Sequence, residues 1–135
     1  MFDQSLGRIE RNTQSRNGVT STTRYLISFD HGAMDHIPDE EGPAVRDASL
    51  AVIRDAKSAG VCVFAEGVYP HDEVSASVVA PDGTVTDGAE NNIAGVTIID
   101  VPSREDALQW ATKLAAANRC AQEVHEFASV PTLGG

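Results

Sequence analysis

Twice along this chain a short apolar run is followed by a helical period and then by a second apolar run. The first half opens on Tyr25-Leu26-Ile27-Ser28-Phe29, which reads as a buried strand ending in Asp30-His31-Gly32. An acidic, proline-containing link over residues 37–43 follows. Val45, Ala48, Val52, Ala56 and Ala59 then recur at three- and four-residue steps, with Arg46, Asp47, Arg54, Asp55 and Lys57 largely between them, which predicts an amphipathic helix. Gly60 is expected to close it, because glycine takes the left-handed conformation without a Cβ penalty. Val61-Cys62-Val63-Phe64-Ala65 predicts the second strand, running into Glu66-Gly67.

The second half repeats the order. Ile93 to Val101 is rich in β-branched residues and is the strongest strand candidate, stopped by Pro102. Ser103-Arg104-Glu105-Asp106 resembles a capping box with Asp in place of Glu or Gln, and its acids suit the positive end of a helix dipole. Ala107, Leu108, Ala111, Leu114 and Ala115 supply an apolar stripe with Trp110 at its border. A last strand is expected over residues 120–127. Between the halves, Pro81-Asp82-Gly83 joins residues 75–80 to Thr84-Val85-Thr86 as a hairpin.

Two strand–helix–strand units interleaved in one antiparallel sheet, with both helices on one face, give the split βαβ or ferredoxin-like plan. The fold class expected is therefore α+β, a ferredoxin-like βαββαβ with an extra hairpin element. The helices cover one sheet face only. Where the other is apolar, pairing two copies face to face buries it most cheaply, so a homodimer is expected. The domain is placed at residues 24–127, after a polar arm at 1–23 and before a tail at 128–135. Phe2, Leu6 and Ile9 fall at helical spacing in that arm, which leaves open a short docked turn or an undocked arm.

Charge narrows the partners. The chain of 135 residues carries a formal −10; four arginines against two acids make the first 24 residues +2, leaving −12 on the rest. Such a body repels phosphate backbones and anionic membrane surfaces, so neither nucleic acid nor a membrane is an expected partner. No apolar run approaches the roughly 20 residues that span a bilayer, and no secretory leader pattern opens the chain. Cys62 and Cys120 are too few for a disulfide scaffold, which points to a reduced, cytoplasmic setting.

The chemistry-bearing residues are sparse. His31 beside Asp30 at a strand end, and His71 in the loop after Glu66-Gly67, are candidates for proton transfer, because a carboxylate can orient an imidazole and stabilise its charged form. Neighbours on a strand point to opposite faces, so Asp30 and His31 need not touch, and solvated loop residues are the competing reading. A metal held by His31, Asp35 and His36 is a further alternative. Glu66 closes a strand and has three options: backbone, Arg24, or the lining of a cleft. Asp87 before Gly88 suits a turn as well as a site. His125 reads as a sheet residue, Trp110 as a packing anchor, and both thiols as inert. There is no P-loop, dinucleotide fingerprint or nucleophile elbow, and no cofactor is expected.

The block Thr86-Asp87-Gly88-Ala89-Glu90, the run from Ile93 to Pro102, and Glu105-Asp106-Ala107-Leu108-Gln109-Trp110-Ala111 together resemble the YCII-related family, in particular its Asp-Gly-Pro-Phe subgroup. Tyr25-Leu26-Ile27, Ala59-Gly60-Val61 and Glu66-Gly67-Val68 extend the resemblance over about residues 24–127. It implies a dimeric α+β barrel with a cleft between sheet and helices that binds a small organic molecule. By analogy it suggests lyase or isomerase chemistry through His/carboxylate proton transfer, for which His31, Glu66, His71 and Asp87, read from the residues themselves, are the candidate site residues. Some relatives are encoded near alternative sigma factors, so a non-catalytic module acting on transcription through a protein partner is the alternative. The family's Pro-Phe is Ala89-Glu90 here, and no histidine stands near Ala44-Val45-Arg46, where some relatives carry one.

Overall fold

The computed structural model describes residues 21–128. Most of the proposed N-terminal arm, including Phe2, Leu6 and Ile9, and nearly all of the C-terminal tail lie outside them. Six strands and two helices follow in order: β1 (Thr23–Asp30), α1 (Gly42–Ser58), β2 (Cys62–Gly67), β3 (Ser77–Val79), β4 (Val85–Asp87), β5 (Ile93–Val101), α2 (Arg104–Asn118) and β6 (Glu123–Glu126). Two 3-10 turns join β1 to α1: His31–Met34 directly after β1, and Asp39–Glu41 within the acidic link.

The main sheet is antiparallel with strand order β2-β5-β1-β6, and β3 pairs only with β4 in a separate ladder. With the hairpin set aside, the interleaved order is the ferredoxin-like one, and the fold is α+β. The two longest strands, β1 and β5, take the centre.

Alternation along these strands decides which side is dry. Tyr25 and Ile27 of β1 stand opposite Ile99 and Thr97 of β5, and all four are buried. Tyr25, Ile27 and Ile99 join Val101 and meet Ala107, Ala111 and Leu114 of α2 in the core, and Val52, Ile53, Val61, Trp110 and Val124 pack around it. Small alanines at one-turn spacing let α2 lie close to the sheet.

Both helix ends behave as their residues dictate. Gly60 has φ +76°, Gly60 N–H donates to Lys57 O at 3.0 Å and Val61 N–H to Ala56 O at 3.0 Å, the two bonds of a Schellman motif. α2 starts on Ser103, whose hydroxyl oxygen accepts from Asp106 N–H at 3.2 Å. The capping box is only partly reproduced, since the Asp106 carboxylate accepts from the Ser103 hydroxyl and Asp is one methylene short of the usual Glu.

The helical stripes are rotated from the expected ones. Ala48 and Ala59 are exposed, while Val45 and Ala56 are buried and Val52 and Ile53 partly so. On α2, Leu108 is exposed and the buried set continues instead to Ala117 and Asn118. Spacing alone leaves the stripe's edge free by one position, and tertiary packing sets it. The last strand begins at Glu123, because the chain first completes the α2 cap at Arg119, φ +58°.

Candidate functional site at one end of the sheet

β1 and β2 finish, and β5 begins, at the same end of the sheet. Asp30 Oδ1 accepts from Gly32 N–H at 2.9 Å and so caps the first 3-10 turn. His31 N–H donates to Asn92 O at 2.8 Å, and its Nε2 lies 2.9 Å from Val68 O. A carbonyl can only accept, so the proton sits on Nε2. Val68 N–H in turn donates to Ala94 O at 2.8 Å, extending the β2–β5 ladder by one bond. His31 therefore ties three chain segments together. Gly67 and Gly95 stand opposite each other beside it.

His71 is bound in the opposite sense. Its Nδ1 accepts from Ala76 N–H at 2.9 Å, and Ala76 O accepts from Gly88 N–H at 2.8 Å. The imidazole thus caps the base of the β3–β4 hairpin. Asp87 ends β4 opposite Ser77 and is exposed. The turn carboxylate is Asp82, which accepts from Thr84 N–H at 2.9 Å; hydrogen bonds from Thr84 hold its carboxyl below the ordinary value.

Glu66 stands opposite Val96 and is exposed, so the cost of burying it does not arise. Its suggested partner Arg24 is engaged elsewhere: Nε and Nη2 donate to the two oxygens of Asp100 at 2.8 and 3.0 Å, raising the guanidinium pKa. Asp100 was not among the residues singled out from the sequence. Only the β1–β5 register, which sets Arg24 against Asp100, reveals the pair.

The four candidates thus fall into two places, His31 and Glu66 at strand ends and His71 and Asp87 at the hairpin base. Among the described residues, both His31 and His71 bond to backbone and neither to a carboxylate. Among the described residues, the one histidine bonded to a carboxylate is His125, 3.0 Å from Glu123 on exposed β6. Asp35 and His36 are exposed, and no three His, Cys, Asp or Glu among the described residues gather to hold a metal ion. Burial pushes both thiols up; at Cys62 a weaker pull from Lys57 opposes it.

The sheet face away from the helices carries a different pattern. One row across it reads Phe64, Ile98, Leu26 and His125, and the next reads Glu66, Val96, Ser28 and Glu123. Phe64 is 49% exposed, and Leu26, Val96 and Ile98 are partly exposed. Arg24 and Asp100 form the row on the other side of the apolar one. The centre is apolar and the charges stand around it.

No protein-family model matches the chain, and no curated protein matches it. Among the described residues no helix is long and apolar enough to cross a membrane.

Proposed function

We propose that the protein works as a non-catalytic, homodimeric interaction module of the YCII-like kind, joined through the open face of its sheet. The observation that carries this reading is the apolar row Phe64-Ile98-Leu26 on the face that the helices leave uncovered. At about 25 cal/mol per Å2, drying such a row outweighs any one surface ion pair. The ring bonds of His31 and His71 to backbone favour a structural role for both histidines over proton transfer. The resemblance to YCII-related proteins supports a protein partner, with transcription as one setting. An acidic surface suits a basic segment of that partner.

A second reading keeps the small-ligand cleft. Gly67 beside His31 favours it: a Cβ built there would meet nothing nearer than Ala94 O at 3.7 Å, so a ligand can approach the backbone closely. Proton transfer there would fall to the His31 Nδ1 lone pair.

The two readings separate on incubation of the full chain with small phenols, quinones and lactones. The module reading predicts no turnover, and His31→Ala and His71→Ala alter stability alone. Turnover abolished by His31→Ala contradicts it.

A further inference from the structure

We infer that the β3–β4 hairpin is a dimerisation arm, its Val79/Val85 face packing on a second copy of this chain; this rests on the dimeric reading above. Each strand of the hairpin has three residues, and an isolated two-stranded hairpin is marginal in water. Neither strand makes more than glancing contact with a helix or with the main sheet. Val79 and Val85 stand directly opposite each other and are 64% and 61% exposed. Val74 and Tyr69, in the segment leading into the arm, are exposed as well. An apolar pair held out in this way lacks a covering surface within the described fold.

Interface size argues for a second copy. At about 4.8 Å per strand and about 3.3 Å per residue, a four-stranded face some six residues long has a footprint of roughly 400 Å2. A stable interface takes about 800 Å2 from each partner. Two chains of net charge −10 also repel. Part of that face is also given to Glu66, Glu123, Arg24 and Asp100, so apolar area beside it would strengthen the interface.

The arm is placed to supply that area. It leaves the sheet where the edge strand β2 ends and returns where β5 begins, anchored by Val68 N–H on Ala94 O and closed at its base by Gly88 N–H on Ala76 O. In a two-fold dimer each arm meets the other copy in the same way, so one patch on the chain serves twice.

The test uses the full chain, with sedimentation equilibrium and amide hydrogen exchange. In the wild type, protection of the Val79, Ala80 and Val85 amides rises with protein concentration. Val79→Asp with Val85→Asp raises the dimer dissociation constant at least tenfold. A wild-type dimer whose hairpin exchange ignores concentration, with the double variant equally tight, overturns the arm and leaves the sheet-face dimer standing. A wild type that stays monomeric overturns both.

Discussion

The ring of Phe29 lies over Gly95 on the neighbouring strand, so that a Cβ built on Gly95 would sit 2.6 Å from Phe29 Cε1. The ring fills the space a side chain would take, and it does so at the sheet end that carries His31. Gly95→Ala forces the ring aside. Overpacking costs about 1–3 kcal/mol, and the lower end applies because the clash is with the far edge of a partly exposed ring. A loss of about 1 kcal/mol, or about 4 °C in Tm, is expected for a domain of this size. In a Phe29→Leu background the loss should shrink or reverse, as alanine restricts the unfolded chain. Thermal melts of the four proteins check this.

Arg24 and Asp100 form a two-pronged pair, but their side chains are 42% and 31% exposed. Solvent screening limits such a pair to about 0.5 kcal/mol in an isolated chain. On the proposed dimer face the coupling should grow, because a second copy removes water from it. A double-mutant cycle with Arg24→Ala and Asp100→Ala, run by urea unfolding at several protein concentrations, reads this directly. Coupling that ignores concentration argues against the pair lying inside an interface.

Arg119 closes α2 with φ +58°, where Cys120 N–H donates to Ala115 O at 3.2 Å. A side chain in that left-handed conformation costs about 1–2 kcal/mol. Arg119 also donates to Glu41 at the start of α1, an exposed pair worth about 0.2–1 kcal/mol. Strain relief is the larger effect. Arg119→Gly should therefore raise stability by about 0.5 kcal/mol once the lost pair is subtracted, as urea denaturation would show. A loss of stability would mean that the tie to α1 dominates.

Asp82 gives the hairpin an acid limit. Its carboxyl titrates below the ordinary 3.8 in the folded chain, held down first by the Thr84 side chain and then by its backbone N–H. The stabilisation is complete above the unfolded carboxyl's pKa and is lost as pH falls through the lower folded one. Exchange of the Thr84 amide, corrected for intrinsic rate, should accelerate only in acid. Asp82→Ala should abolish that dependence.

The strand and helix order was legible because its signals are local. Ile93–Val101 is rich in β-branched residues and ends at proline, Gly60 marks a helix end, and Ser103 marks a helix start. The candidate site was less legible. The bonds of His31 to Val68 and Asn92 cross between distant segments, and the Arg24–Asp100 pair depends on a register. Periodicity says which residues share a face. It does not say that His71 will accept a hydrogen bond from a backbone N–H five residues on instead of meeting a carboxylate.

The central claim is that a second copy covers the Phe64-Ile98-Leu26 row, and the mass of the full chain in solution tests it most directly. Light scattering at micromolar protein should report twice the 14.3 kDa of one chain, and Ile98→Asp, which puts a charge in the middle of that row, should reduce it to a single folded chain. A wild type of one chain's mass, or an Ile98→Asp protein that pairs as tightly as the wild type, would contradict the account.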